Sequence, residues 1–112
     1  MIEIILLDYL KTALETPVFT EKQPSLNDKH IVIEKTGSSE KDHIQTATVA
    51  IQSYANSLYD AALLNKQVKE AMKQIVELDN VSRSKLNSDY NFTDTTKKQY
   101  RYQAVYDLVF FD

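Results

Sequence analysis

The sequence predicts an α+β domain: a mostly antiparallel sheet of about five strands with two helices packed on one face, in the order α-β-β-β-α-β-β. Three observations predict it. Apolar residues recur at helical spacing in two segments, they alternate with period two near the end of the chain, and the predicted connections are short and hairpin-like. The 112 residues are the length of one domain, covering 1–112, and their 43% apolar and 26% charged composition is typical of a globular protein.

The first predicted helix is amphipathic. Ile2, Leu6 and Leu10 fall on one apolar stripe, together with further apolar residues up to position 13. Pro17 is expected to end this helix by Thr16, because the residue before proline avoids the helical region.

The second predicted helix begins at Ser57. Ser57 can cap the first amides of the helix, and Asp60, three residues later, completes a capping-box pattern. An apolar face then continues to Leu78 over about five turns, so a single helix is predicted to that residue.

Three strands are predicted between the helices. They cover residues 18–22, 30–35 and about 43–54, and the turn-forming residues 23–28 connect the first two. The polar stretch 36–42, which holds the only glycine, predicts an exposed loop at the tip of a hairpin.

Two strands are predicted after residue 80. In the first, Leu86, Tyr90 and Phe92 share one face, and the polar residues Lys85, Asn87, Asp89 and Asn91 share the other. In the second, Tyr100, Tyr102, Ala104, Tyr106, Leu108 and Phe110 share one face. Its other face carries Arg101, Gln103, Val105, Asp107, Val109 and Phe111.

The end of the chain is apolar on both faces of its strand. One face can meet the helices of the same domain, and the other is covered either by a neighbouring subunit or by the first helix and the loop after it. The predicted oligomer interface combines the exposed face of the last strand with the polar loop, and its residues are Val105, Val109, Phe111, Thr36, Gly37, Ser38 and Ser39.

The composition excludes several kinds of chemistry. The absence of cysteine removes disulfides, thiol nucleophiles and Cys-based zinc sites, and one glycine is too few for phosphate-binding loops or nucleophile elbows. The spacing of Asn87, Asp89 and Asn91 resembles the start of a calcium loop, but the glycine and glutamate that such a loop requires are missing. His30 and His43 are interpreted as residues at strand ends. We therefore predict no catalytic, cofactor-binding or metal-binding residues, and no enzyme activity.

Binding to nucleic acid or membrane is not expected either. Lys97, Lys98 and Arg101 are interleaved with tyrosines, as in some single-strand binders, but the alternation assigns the tyrosines to the core and the net charge is −3. No apolar stretch approaches the ~20 residues that span a bilayer, and the apolar start lacks the features of a signal peptide. A cytoplasmic protein is expected.

The chain resembles the tail-terminator (tail-completion, minor tail component) proteins of long-tailed phages and prophages of Gram-positive bacteria. The resemblance spans nearly the whole chain. It rests on the opening amphipathic helix, Pro-Val-Phe at 17–19, Ile-Val-Ile-Glu at 31–34, the hairpin exit and Ile-Gln-Ser-Tyr-Ala at 44–55, the helix with alanine and methionine, and Tyr-Arg-Tyr-Gln-Ala-Val-Tyr-Asp-Leu at 100–108.

This resemblance implies a structural virion protein. Such proteins form a homo-oligomeric ring, usually a hexamer of about six copies, that caps the finished tail tube, ends polymerisation of the major tail protein and offers a joining surface to the head–tail connector proteins. The location implied is the head-proximal end of the tail, with assembly in the cytoplasm of the host. Two alternatives stay open: another phage neck or head–tail connector protein with a similar small fold, and a small regulatory binding module that uses an open sheet face.

Overall fold

In the computed structural model, which describes residues 1–23 and 28–111, a five-stranded mixed sheet and two helices follow the expected order. The α+β prediction is therefore confirmed. The elements are α1 (Ile2–Ala13), β1 (Val18–Phe19), β2 (His30–Lys41), β3 (Ile44–Ala55), α2 (Leu58–Met72), a 3-10 helix (Ile75–Glu77), β4 (Val81–Asn91) and β5 (Tyr100–Phe110).

The strands lie side by side in the order β1-β2-β3-β5-β4. Strands β2, β3, β5 and β4 pair antiparallel, whereas β1 pairs with β2 in parallel through Val18 with Ile31 and Phe19 with Val32. Strand β1 has two residues, so the prediction of a strand over 18–22 was too long. The turn predicted at 23–28 falls mostly on residues 24–27, which lie outside the described part of the chain.

The two helices pack on one face of the sheet, and the core lies between the helices and the sheet. Helix α1 contributes Ile2, Leu6 and Leu10, each at most 1% exposed, as its apolar stripe predicted. The remaining core residues are Val18, Ile31, Ile33, Ala47, Val49, Ile51, Leu64, Val68, Met72, Ile75, Val81, Ala104, Tyr106, Leu108 and Phe110.

The alternation predicted for β5 is confirmed from Ala104 onward, whereas Tyr100 and Tyr102, which the same pattern assigned to the core, are only half-buried and lie outside it. Ala104, Tyr106, Leu108 and Phe110 are buried against the helices, because successive strand residues point to opposite faces. We call the opposite side of the sheet, which carries no helix, the open face. It carries Val32, Glu34, Thr48, Ala50, Gln52, Tyr54, Arg101, Gln103, Val105, Asp107 and Val109.

The polar stretch 36–42 is not a loop, so that prediction was wrong. Strand β2 continues to Lys41 and stays paired with β3, with one register irregularity between Lys35 and Gly37. Only Asp42 and His43 form the turn, both at positive φ (53° and 67°), as a two-residue hairpin turn of type I′ requires. The predicted hairpin is therefore present, but its exposed tip is a strand pair.

Helix α2 begins as predicted and ends earlier. The Ser57 hydroxyl accepts a hydrogen bond of 3.1 Å from the backbone N–H of Asp60, which satisfies one of the free amides of the first turn. The α-helix ends at Met72, and the tighter 3-10 helix that follows turns Ile75 into the core at 0% exposure. The single helix predicted up to Leu78 is therefore two elements.

The face assignment for β4 was wrong in its second half. Leu86 pairs with Tyr106 on the helix side, but the register shifts between Leu86 and Ser88, so Tyr90 pairs with Gln103 on the open face. One extra residue in a β-bulge reverses the alternation after it. Asp89 consequently faces α2, where it accepts hydrogen bonds from Asn65 and Lys69.

Candidate interaction surface

The open face holds the predicted interface residues of β5. Val105 pairs with Ala50, and Val109 pairs with Thr46, both of β3. The two valines are only half-buried, whereas Ala104 and Leu108 on the helix side are at most 1% exposed. This face of β5 therefore presents apolar side chains that the helices of the same chain do not cover.

Phe111 lies at the end of this surface. Its backbone N–H donates a 2.8 Å hydrogen bond to the carbonyl of Asn80, so the backbone is held against the start of β4 although β5 ends at Phe110. Its side chain is 43% exposed. The residue before it, Phe110, is the last residue of β5 and is buried in the core. Phe111 is thus an apolar side chain on a fixed backbone.

The strand segment that was predicted as a loop meets Val109 in a groove. Gly37 pairs with Thr48 and Ser39 with Thr46, the same β3 residue that pairs with Val109. The groove has a volume of about 500 Å³, and we call it the strand groove. It is lined by Gly37, Ser38, Ser39, Thr46, Ala47, Thr48, Arg83, Lys85, Asp107, Leu108 and Val109.

The structure thus brings together some of the predicted interface residues and not others. Gly37, Ser38, Ser39 and Val109 line the strand groove. Thr36, Val105 and Phe111 do not. Thr36 instead uses its hydroxyl to donate a 3.2 Å hydrogen bond to the carbonyl of Thr48, which holds the β2–β3 pairing at the irregularity.

The floor of the strand groove contains a fixed carboxylate. Asp107 accepts hydrogen bonds of 2.9 Å from the Asn87 amide and of 2.9 Å from the Thr48 hydroxyl. Both bonds lower the pKa of Asp107 below its ordinary value, and the bond from Asn87 has the larger effect. The charge of Lys85 acts in the same direction. The carboxylate is therefore ionised near neutral pH and held in place.

Hydroxyls and cations surround this floor. Ser39 and Thr46 share a hydrogen bond of 2.5 Å, and Arg83 and Lys85 make no ion pair within the described residues. An apolar residue such as Val109 inside a polar and charged rim is the usual anatomy of a protein–protein interface. The groove can therefore offer shape, hydrogen bonds and charge to a partner.

A second feature of the open face was missed from the sequence. The Arg101 guanidinium lies 4.3 Å from the ring centroid of Phe92 and 5.6 Å from that of Tyr54. It also donates to the Phe92 carbonyl at 2.6 Å and to the Tyr54 hydroxyl at 2.8 Å. These contacts hold the cation against aromatic rings. From the sequence, Arg101 is assigned only to the face of the last strand opposite the core.

A buried glutamine pair continues this feature across the sheet. Gln52, 6% exposed, donates to Gln103, 8% exposed, at 2.9 Å, and the two residues are paired between β3 and β5. Tyr54 donates to Gln52 at 3.2 Å, and Gln103 donates to the Tyr90 hydroxyl. A connected polar network of this kind makes the open face rigid. Only the strand alternation could have indicated that these residues lie on one face.

The other side chains that the sequence offered for metal binding or catalysis do not lie together. His30 is buried, stacks on Tyr54 at 4.6 Å and lies with Nδ1 2.7 Å from the Asp28 carbonyl, while His43 lies in the hairpin turn. Asn87 contacts Asp107 on the open face, whereas Asp89 contacts α2 on the opposite side. Across 1–23 and 28–111, no three His, Asp or Glu residues are placed to hold a metal ion.

Comparison with known proteins gives no further identification. No protein-family model matches the sequence, and no curated protein matches it. None of the helices in the described part of the chain is long and apolar enough to cross a membrane. What the open face does must therefore be inferred from its own geometry and chemistry.

Proposed function

We propose that this chain is a structural subunit that assembles with copies of itself into a ring capping the tail tube of a phage. The ring ends the polymerisation of the major tail protein and provides the surface to which the head joins. One observation carries the proposal: segments far apart in the sequence, residues 37–39 and Val109, line a single groove on the sheet face opposite the two helices, against which no helix of residues 1–23 and 28–111 packs.

The chemistry of this face supports docking to another protein. It combines half-buried Val109, a fixed carboxylate, paired hydroxyls and two cations around one groove, and half-buried Val105 lies on the same face outside that groove. Covering apolar side chains that remain partly exposed removes apolar surface from water, which favours association. The surrounding polar groups give such a contact its specificity.

The sequence pattern supports the particular assembly. The order of elements and the segments at 17–19, 31–34, 44–55 and 100–108 resemble those of tail-terminator proteins. In that family the working parts are surfaces rather than catalytic groups, which agrees with an open face built from packing and hydrogen-bonding residues.

The function is tested by the length of tail tubes. The major tail protein encoded with this chain is polymerised in vitro with and without the purified chain, and tube lengths are measured by electron microscopy. We expect shorter tubes with a ring at one end, because capping stops elongation. Tube lengths that stay unchanged at saturating amounts of the chain would rule out this function.

A charge variant of the open face provides the matched comparison. Val109→Lys combined with Phe111→Lys is expected to leave a folded monomer that neither forms rings nor caps tubes, since both side chains are partly exposed. Leu86→Lys is the control, because Leu86 is similarly exposed at 41% but points away from the open face. Rings that persist in the double variant would exclude this surface as the interface.

A further inference from the structure

We infer that the second part of β2 pairs antiparallel with the same segment of a second copy, so that two sheets join along their edges in a two-fold dimer. The segment covers residues 34–41, and we call it the free edge. This pairing goes beyond the function proposed above, because it uses the edge of the sheet and leaves the open face uncovered. A two-fold contact is satisfied by two copies, so the pairing does not extend further.

The free edge is paired on one side only. Strand β1 pairs with β2 at Ile31 and Val32, and no other segment of residues 1–23 and 28–111 pairs with that side of β2. Every residue from 34 to 41 is exposed, although β3 pairs with this segment up to the hairpin turn. The unpaired N–H and C=O groups along such an edge are a template for a further strand.

The sequence of the free edge is complementary to itself when two copies run antiparallel. The segment begins with Glu34 and Lys35 and ends with Glu40 and Lys41. The register that places Glu34 of one copy opposite Lys41 of the second copy also places Lys35 opposite Glu40. The two-fold axis repeats both pairs. Opposite charges directly across two strands stabilise their pairing, so every charged side chain of the free edge gains a partner.

The irregularity in β2 places both members of each pair on the same face. Glu34 lies on the open face and Lys35 on the helix side, as the residues that pair with them in β3 show. The register shift after Lys35 reverses the alternation, so Lys41 lies on the open face and Glu40 on the helix side. Without that shift, the same register would place the opposite charges on different faces of the joined sheet.

The charges of the free edge are largely unpaired within one chain. Glu34, Glu40 and Lys41 make no ion pair in the described part of the chain, and the β3 residues opposite them are uncharged. Lys35 contacts Glu3 of α1 at 3.6 Å. An ammonium group has three donors, so Lys35 can meet a second carboxylate without losing the first. The second copy therefore supplies partners that the chain itself lacks.

The two edges of the sheet differ in how they discourage pairing. The opposite edge, β4, has two register irregularities and carries Arg83 and Lys85 near its start, and both features discourage the pairing of a further strand. The free edge pairs regularly with β3 from Gly37 to Lys41, and its glutamates and lysines balance. A second copy therefore meets no net repulsion at the free edge, and we place the contact there.

The contact is small, so we expect the dimer to be weak. A strand pair of this length extends for about 26 Å, and the helices lie outside it. Interfaces below about 1,200 Å² are typical of transient complexes. We expect a dissociation constant of about 0.1–1 mM, so the dilute protein is not paired through this edge.

Charge reversal tests the pairing by complementation. The parent for these measurements is the Val109→Lys, Phe111→Lys double variant, because it keeps the free edge and is designed not to form rings. Two further variants are made from this parent. Glu34→Lys with Glu40→Lys makes the free edge positive, and Lys35→Glu with Lys41→Glu makes it negative. All four positions are exposed, so the fold is kept.

Sedimentation equilibrium between about 10 µM and 1 mM measures the association. We expect a dimer for the parent and association at least tenfold weaker for either reversed form alone, because like charges then face each other. An equimolar mixture of the two reversed forms should regain the association of the parent. Lys97→Glu with Lys98→Glu is the control for the negative form. It changes the net charge equally in an exposed turn and should associate as the parent does.

Three results would overturn the pairing. They are a parent that stays monomeric up to about 1 mM, reversed forms that associate as the parent does, and a mixture that associates no more strongly than its components. Tube capping is measured separately, on the chain with its natural open face. Capping without an edge dimer keeps the proposed function and removes this contact, whereas an edge dimer without capping does the reverse.

Discussion

The adjacent phenylalanines at the end of β5 should differ sharply in their effect on stability. Phe110 is 3% exposed and pairs with Gln45 and Val81 inside the core, whereas Phe111 is 43% exposed and lies beyond the last strand pair. Changing each to alanine therefore tests whether the alternation that separates the core from the open face continues to the end of the strand.

The expected magnitudes follow from burial. Truncating a buried phenylalanine to alanine costs about 3–5 kcal/mol, because the apolar contacts are lost and a cavity remains. Full burial of such a side chain contributes about 1.5–3 kcal/mol, and Phe111 is covered for a little over half of its surface without enclosing a cavity. We therefore expect the free energy of unfolding to fall by at least about 3 kcal/mol for Phe110→Ala and by about 1 kcal/mol for Phe111→Ala.

Urea unfolding followed by circular dichroism measures both changes. The protein is kept dilute, at about 2 µM, so that association contributes little. Small domains have about 5–15 kcal/mol of stability, so the loss at Phe110 is a large share of the total. Equal losses at the two positions, or a larger loss for Phe111→Ala, would refute the assignment of the two side chains to opposite environments.

Three further predictions concern local structure. His43→Gly should raise the free energy of unfolding by about 0.5–1 kcal/mol, because His43 holds a φ of 67° that glycine adopts without strain; a loss in urea unfolding would contradict the turn. Ser57→Ala should lower it by about 1 kcal/mol through loss of the bond to the Asp60 amide, and no change would show that the cap is dispensable. Burial first, and then the charge of Asp89, raise the pKa of Tyr106 to about 12. Folding therefore favours the neutral phenol. The stability that the neutral phenol contributes is fully present below pH ~10 and is lost as the pH rises towards 12. Between pH 10 and 11, the free energy of unfolding of Tyr106→Phe should fall less than that of the unchanged chain. Curves of unfolding free energy against pH that run parallel for the two proteins would contradict the raised pKa of Tyr106.

Much of the helix-side core could be predicted from the sequence because its periodicities are local. The stripe of Ile2, Leu6 and Leu10 defines α1, and Ser57 marks the start of α2. The regular alternation identified the buried face of β5 correctly from Ala104 to Phe110, but not at Tyr100 and Tyr102, which are only half-buried. These signals need no knowledge of which segments meet in space.

The errors arose where distant segments decide the structure. The polar residues of β2 after Lys35 carry no alternating pattern, and their strand conformation depends on pairing with β3. The reversal of faces in β4 depends on one bulge residue between Leu86 and Ser88, for which the sequence has no glycine or proline signal. The α-helix also ends at Met72 although neither glycine nor proline lies between it and Ile75.

The interaction surface depends partly on local patterns and partly on contacts between segments that are distant in the sequence. Val105, Val109 and Phe111 were selected from local alternation, and the structure places Val105 and Val109 on the open face. The meeting of residues 37–39 with Val109 depends on the register of three strands, and the stacking of Arg101 on Phe92 depends on the turn between β4 and β5. Neither can be derived from spacing along the chain.

The mass of the assembled chain tests most directly whether the open face binds a second copy. Native mass spectrometry is applied to the unchanged protein at about 100 µM, alone and after release from tail tubes. We expect one closed species of about six chains, without a ladder of larger forms, because a ring closes on itself. A single 12.9 kDa monomer under both conditions would contradict self-assembly through this face.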